Sequence, residues 1–516
     1  MGYLGELMCD CRLLPDWVPI APWRWWIHMR QVFLPMSYIY SKRFSHPATD
    51  LTRQLRQELY TSPYESINFL AHRNSISPRD NYHPKTFFLN SINWALVNIW
   101  NPYLRYNSLV KRAEDWAFEL IRREDENTEY ANLGPVNGPM NLLACYIHDG
   151  EGSHSVRRHR DRMQDFLWVK HEGMLMNGTN GVQTWDTSLL IQAVTHAGLA
   201  QDPHWKPMLL KALAFLDDQQ IRADVPDQAL CYRHRRKGAW AFSTRDQGYT
   251  VSDCTSEALK AVIALQRTPG YPTLVSDARL RDAVDTLLTM QNPSGGFASY
   301  EPTRGSEYLE YLNAAEVFGR IMIEYDYPEC TTAVVTALAL FTTDHDPTYR
   351  PDSIRAVTGA ALAYIRRAQR PDGSWYGSWG ICFTYAGMFA LEALASAGQT
   401  HANSDHVRRG CDFLLAKQMP DGGWGESYRG CETGVYTHHE RSQVVQTAWA
   451  CIGLMEAGFP DRAPIERALR LVVGRQRENG EWAQEAIEGV FNKSWYVCVA
   501  SLLLAPTLFV LKGEVC

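Results

Sequence analysis

Gln369-Arg-Pro-Asp-Gly-Ser-Trp375 and Gln418-Met-Pro-Asp-Gly-Gly-Trp424 are two copies of one pattern. Two more copies are Gln291-Asn-Pro-Ser-Gly-Gly-Phe297 and Gln476-Arg-Glu-Asn-Gly-Glu-Trp482. Each Gln stands six residues before an aromatic ring, and successive Gln residues are 78, 49 and 58 apart. One core unit therefore repeats with insertions of varying length, which means stacked supersecondary units. Apolar residues recur at helical spacing before the Gln, as in Ala361-Leu-Ala-Tyr-Ile365, Cys411-Asp-Phe-Leu-Leu415 and Ala468-Leu-Arg-Leu-Val472. Pro-Asp-Gly or Glu-Asn-Gly then supplies a turn and a helix stop. A second apolar helix follows, as over 383–397 and 443–457. Helix pairs in tandem bury their faces on their neighbours, and closure into a ring leaves a central cavity. The Gln amide satisfies backbone groups at a helix end, so the motif is expected to fasten helices rather than do chemistry.

The repeat weakens toward the N-terminus. Ala212-Leu-Ala-Phe-Leu216 leads to Gln219, and Trp185 follows Asn177-Gly-Thr-Asn-Gly181. Residues 1–165 read as helical without clean copies. Gly150-Glu-Gly-Ser153, followed by Arg157, Arg158 and Arg160, reads as a linker. The expectation is an all-α protein with a partial first α/α-barrel domain over 1–165 and a repeat-bearing α/α-barrel domain over 166–516.

Composition excludes several functions. The chain has 516 residues, with Lys+Arg 51 against Asp+Glu 57 and a formal net charge of −6. A nucleic-acid binder would carry a basic face instead. Aromatic residues make up 12%, a wealth of flat faces suited to carbohydrate, apolar polycycles or cations. The 12 cysteines include no C-x-x-C pair, which argues for reduced thiols and against a structural zinc site. P-loop, H-E-x-x-H and Rossmann patterns are absent. Asp217-Asp218 runs into Gln-Gln-Ile, so no Asp-rich diphosphate site is present. The first 30 residues show no basic stretch followed by an apolar run. Trp495 to Leu511 carries no charge for 17 residues, though Pro506 interrupts it. That tail is short for a spanning helix and reads as an altered end or a membrane anchor.

One segment suggests catalysis. In Val251-Ser-Asp-Cys-Thr-Ser-Glu257, Asp253 opens an apolar helix. A helix cap and a catalytic acid are both open on this pattern. A capping carboxylate is held ionised by backbone N–H groups, whereas an acid must be buried and neutral.

This segment resembles the Asp-Cys-Thr-Ala-Glu signature of oxidosqualene cyclases. Asp372-Gly-Ser-Trp-Tyr-Gly-Ser-Trp-Gly-Ile-Cys-Phe-Thr-Tyr-Ala386 resembles the terpene-synthase signature of that family, and the four Gln-x5-aromatic units resemble its QW repeats. Trp25-Trp-Ile-His-Met-Arg-Gln-Val-Phe-Leu-Pro-Met-Ser-Tyr38 is similar to a further family segment. The likeness runs from about Leu14 to Ser494. It implies two α/α-barrels with the active cavity between them. It also implies a monotopic protein on the endoplasmic-reticulum membrane or a lipid droplet, and is compatible with a homodimer. The implied reaction is cyclisation of (3S)-2,3-oxidosqualene to a tetracyclic triterpene alcohol, without cofactor, metal or nucleic acid.

Residue by residue, the resemblance makes Asp253 the epoxide-protonating acid. Cys254 and Cys330, in Tyr327-Pro-Glu-Cys-Thr, become the thiols that hydrogen-bond it, with Glu257 behind them. Trp185, Phe242, Tyr300, Trp379 and Phe491 become rings lining the cavity, and His28 stands near the final deprotonation. Squalene–hopene cyclases carry an Asp-x-Asp-Asp cluster here to protonate a bare alkene. A single carboxylate suits an epoxide. Thr179, Gln247 and Val251 resemble the steroid-type cyclases of fungi, whereas cycloartenol-type enzymes have Ile at the Val251 position. The expected product is of the lanosterol type, with a protostadienol-type cyclase as the alternative. Family members carry further chain before Leu14 and a different sequence after Ser494, so a poor or inactive cyclase is also expected of the chain as written. A zinc prenyltransferase-like barrel and a non-enzymatic helical scaffold are the readings from other classes.

Overall fold

The computed structural model describes residues 9–69, 71–72, 75–170, 173–176, 178, 181–491 and 493–497. They fall into two compact units. The first holds Met1–Glu126, Tyr130–Leu167 and Gly305–Ile323; the second holds Asn127–Glu129, Trp168–Arg304 and Glu324–Cys516.

The first unit contains α1 (Ile27–Lys42), α2 (Asn107–Asn127), α3 (Asn137–Asp149) and α4 (His154–Arg162). Helix α1 packs on α3, and α3 on α4. The stretch read as a linker is a tight connection between these last two helices, because Ser153 Oγ accepts the N–H of Val156 and starts α4. Asp125 ties three helices together. Its Oδ1 accepts from the Nδ2 atoms of Asn132 and Asn141, both at 2.8 Å. Its Oδ2 lies 3.5 Å from Cys145 Sγ and 3.1 Å from His159 Nε2.

The second unit alternates two kinds of helix. Its pairs are α5 (Gln183–His196) with α6 (Lys206–Gln219), α7 (Ser252–Arg267) with α8 (Asp277–Leu288), α9 (Pro328–Asp344) with α10 (Pro351–Ala368), α11 (Cys382–Ser396) with α12 (Asp405–Leu415), and α13 (Val444–Glu456) with α14 (Ala463–Gly474). The first helix of each pair packs on the first of the next, and the second helix covers it. Sequence explains this layering. Helix α11 is apolar almost all round and buries an unbroken run from Cys382 to Leu391. Helix α6 is amphipathic and buries Leu209, Leu213 and Leu216 on one stripe. This is the all-α, α/α-toroid architecture that the repeats imply.

The repeat motif fastens the outer layer. The Nε2 atoms of Gln291, Gln369 and Gln418 each donate to a carbonyl of their own turn, at Gly295, Gly373 and Gly422. Each also donates to a carbonyl in the first two turns of the next outer helix, at Val357, His406 and Pro464. The indole N–H groups of Trp375, Trp424 and Trp482 donate to Ile365, Leu414 and Val472, closing the turn on the preceding helix. The turn glycines have φ near +90°, and a Cβ at Gly373 would press into the Arg409 carbonyl.

A fifth copy exists that spacing hides. Gln220 Nε2 donates to Gly238 and Arg279 carbonyls, and Trp240 Nε1 donates to Leu216. Gln220, not Gln219, is the fastener, and a long insertion separates it from its tryptophan.

Candidate active site

Helix α7 does not start on an aspartate cap. Val251 occupies the cap position with no side-chain hydrogen bond. Ser252 anchors the helix start instead, its N–H donating to Ser299 and its Oγ to Ala298. Asp253 is thereby left in the first turn with its carboxyl available. Its Oδ1 accepts the Cys254 N–H at 2.8 Å, and its Oδ2 accepts the Cys330 S–H at 3.5 Å. Cys330 sits in the first turn of α9, with its Sγ 3.3 Å from Ser299 Oγ. Two adjacent inner helices thus begin side by side and bring 253, 254 and 330 together. Both cysteines are free thiols.

Desolvation raises the Asp253 carboxyl to about 6, and the charge of Glu257 adds to the rise. The Cys254 N–H and the two thiols pull the other way by stabilising the carboxylate. Burial, reinforced by the Asp253 charge, pushes both thiols well up, so they stay S–H donors. Asp253 is crowded by protein yet only half-buried, whereas Ser252 and Cys254 beside it are buried. A carboxyl that borders a hollow has both properties.

Glu257 lies one turn further along α7. Its Oε2 accepts from Gln192 on α5 at 2.7 Å, and its Oε1 is 3.0 Å from Lys260 Nζ. Lys260 also donates to Thr336 Oγ1 and lies 3.8 Å from Glu392. The Glu257 charge is therefore paired within a buried network.

The rings fall into groups. Trp185 and Phe242 stack at 5.9 Å with planes 18° apart. Gln247 holds the Phe242 loop, its Oε1 accepting the N–H groups of Phe242 and Ser243. Tyr300 is buried and meets Tyr249 edge-on at 6.4 Å. Its phenol is pushed well up by burial and by the Asp253 charge. Trp379 lies 5.8 Å from Phe491 and edge-on to Tyr327 at 5.4 Å. Phe491 is carried by a short strand, Gly489–Phe491, paired antiparallel with Trp495–Val497. The charge-free tail therefore begins as a strand, and residues beyond 497 lie outside the described residues. Thr179 lies outside them too. Val251 is buried at the start of α7. His28 belongs to the first unit, in the first turn of α1 beside Trp26, and desolvation holds its imidazole down at about 3.

Two residues escaped the sequence reading. Tyr385, inside the quoted 372–386 signature, packs on Phe389 and Trp449 at 4.9 and 4.8 Å. Burial pushes its phenol well up, and so do the Glu329 and Asp253 charges. Its i, i+4 spacing to Phe389 was the available signal. Glu329, next to Cys330, is the other.

Among the described residues, Asp125, Cys145 and His159 of the first unit could supply metal ligands. The Asp125 oxygens already accept from Asn132, Asn141 and Cys145, with His159 Nε2 3.1 Å from Oδ2. No described helix is long and apolar enough to cross a membrane.

The squalene-hopene cyclase C-terminal domain model matches residues 182–502, and the N-terminal domain model matches 6–172. The chain belongs to the family of squalene–hopene and oxidosqualene cyclases. A lanosterol synthase of Aspergillus fumigatus is 66% identical over 482 residues, covering 93% of this chain and 64% of its own length. The mouse (Mus musculus) lanosterol synthase is 45% identical over 502 residues, covering 96% of this chain and 68% of its own. The chain spans about two thirds of the length of the curated relatives it matches. Among solved structures, an ent-copalyl diphosphate synthase from Streptomyces platensis aligns with 100% of this chain and 91% of its own, at TM-score 0.49 and 14% identity.

Proposed function

We propose that this chain carries the machinery that cyclises (3S)-2,3-oxidosqualene to a tetracyclic triterpene alcohol of the lanosterol type. The carrying observation is Asp253, a deeply set carboxyl raised to about 6 that accepts one backbone N–H and the Cys330 S–H. An epoxide is a weak base, so its acid must be protonated yet strong. Burial favours the protonated form, and the donors stabilise the anion left behind. Asp253 gives its proton to the epoxide oxygen, the C–O bond breaks with its electrons on that oxygen, and a tertiary cation forms. Neighbouring alkenes then attack in turn.

A carbocation is captured by water or by any fixed carboxylate, so its path needs dry, neutral walls with electron-rich faces. Trp185, Phe242, Tyr300, Trp379 and Phe491 have that chemistry, with Gln247 setting Phe242 and Val251 apolar at the helix start. The last step loses a proton, so substrate and product are isomers. His28 is the acceptor in this reading. Held at about 3, its imidazole stays neutral, and a carbocation is a far stronger acid than imidazolium.

An apolar substrate resides in lipid. The segment over 87–104 exposes Phe87, Phe88, Trp94, Ile99, Tyr103 and Leu104, with Phe87 89% exposed, which supports monotopic binding to a lipid surface such as the endoplasmic reticulum. The test is expression in a cell lacking its own cyclase, with mass spectrometry of its triterpenes. Accumulating oxidosqualene with no cyclic alcohol would reject the reading.

A further inference from the structure

Trp379 has no polar anchor of its own. Its Nε1 is buried without a hydrogen-bond partner, and its ring is half-buried. The ring's place is therefore set by its backbone and by the rings it touches. That backbone is held from two sides. The Trp379 carbonyl accepts the Val490 N–H at 3.1 Å, and the Ile381 N–H donates to Glu488 at 2.9 Å, so the strand carrying Phe491 grips one edge. On the other edge, Glu329 Oε1 accepts the Ser378 N–H at 2.6 Å and the Trp379 N–H at 3.1 Å.

Glu329 is an unusual choice for this task. It is 2% exposed, and its second oxygen, Oε2, is buried with no hydrogen-bond partner. A buried carboxyl with a bare oxygen is costly, and the two N–H groups need only one acceptor. What distinguishes Glu329 is its address. It lies in the first turn of α9 immediately before Cys330, whose thiol donates to Asp253, and two residues after Tyr327, whose ring meets Trp379 edge-on. One helix start thus reaches both the proton donor and a ring. Separately, burial pushes the Glu329 carboxyl up to about 7, and the Asp253 charge adds to the rise.

We infer that Glu329 is a positioning residue: through the Ser378 and Trp379 N–H groups it sets the Trp379 ring relative to the Asp253–Cys330 pair. The inference rests on the proposed cyclisation for its consequence, since a ring displaced from the cation path lets proton loss overtake ring closure. The ring placement itself is readable without turnover.

The experiment uses the full chain labelled with 5-fluorotryptophan, with the Trp379 fluorine signal assigned from Trp379→Phe. Glu329→Gln keeps an oxygen at the same reach. Glu329→Asp withdraws it by one methylene, and Glu329→Ala removes it. The expected result is a Trp379 signal in place in Glu329→Gln and displaced in Glu329→Asp and Glu329→Ala, with the other tryptophan signals unmoved. With 2,3-oxidosqualene in detergent, Glu329→Asp should raise the share of early-terminated alcohols roughly tenfold at little-changed KM, and Glu329→Gln should restore the parent product. A Trp379 signal unmoved in Glu329→Asp overturns the inference. An unchanged product ratio beside turnover that falls only with folded fraction overturns it too, since that is a purely structural role. If Glu329→Ala does not fold, the Gln and Asp variants still decide. If the parent makes no cyclic product while the Trp379 signal moves as expected, the positioning stands and the proposed function falls.

Discussion

Three carboxyl groups sit at the starts of inner helices in the second unit beside a cysteine, and two of them, Asp253 and Glu426, differ sharply in their surroundings. At α11, Glu426 from a neighbouring strand accepts the N–H groups of Cys382, Phe383 and Thr384, the Cys382 thiol and the Thr384 hydroxyl. It supplies the acceptors that the first turn of a helix lacks. At α7 that task falls to Ser252 and the backbone of 298–299, and Asp253 accepts from the Cys254 N–H at 2.8 Å and the Cys330 thiol at 3.5 Å. Both groups are carboxyls among thiols at a helix start. The number and kind of donors separate a fastening carboxylate from one that can hold and release a proton.

The sharpest way to break this comparison is Asp253→Asn. Asparagine keeps the shape and loses the acidic proton. Turnover should fall by roughly 10³-fold or more, while stability changes by at most about 1 kcal/mol. Retained turnover, measured as cyclic alcohol formed from oxidosqualene, would make Asp253 a second Glu426.

Glu426→Ala should do the reverse. It strands several buried donors, and urea unfolding should show a loss on the order of 3 kcal/mol. An equal loss for Asp253→Asn would erase the distinction.

Trp379→Ala probes the wall beyond the acid. Removing a desolvated ring forfeits about 1 to 2 kcal/mol of cation stabilisation, a shift of roughly five- to thirtyfold toward early-terminated products. An unchanged product places the ring off the path.

Cys330→Ala and pH give the smallest and most graded effects. Loss of the thiol donor removes a stabiliser of the Asp253 anion, so protonation should slow by about tenfold, with Cys330→Ser partly restoring it. In the proposed mechanism Asp253 acts in its protonated form, and it is raised to about 6, so the rate should be level below that value and fall about tenfold per pH unit above it. In Cys330→Ala the carboxyl rises further and that limb moves to higher pH. A limb that stays in place would remove Cys330 from the acid's environment.

Much of this was legible before any coordinates. The Gln-x5-aromatic copies announce the helix pairs, because a helix stop, a turn and an indole that reaches back to the previous helix must occur at short, regular spacing. The copy at Gln220 and Trp240 was misread as ending on Gln219 because its turn carries an insertion, and a hydrogen bond depends on where the chain returns rather than on how long it took. Asp253 was visible as a candidate but stayed undecided between cap and acid. Tyr385 and Glu329 sat inside quoted motifs without drawing notice.

What the sequence by itself determined is the set of local commitments: which segments are helices, which face of each is apolar, where each stops, and which residues can carry acid, thiol and ring chemistry. These follow from periodicity and turn chemistry among residues a few positions apart. Only the tertiary structure decided that Ser252 and residues 298–299 fix the start of α7 so that Asp253 is free, and that Cys330, 77 residues away, donates to it. The physical reason is that a carboxyl's acidity is set by everything within hydrogen-bond reach and by the water it has lost. Both are properties of packing between distant segments, which no local pattern contains.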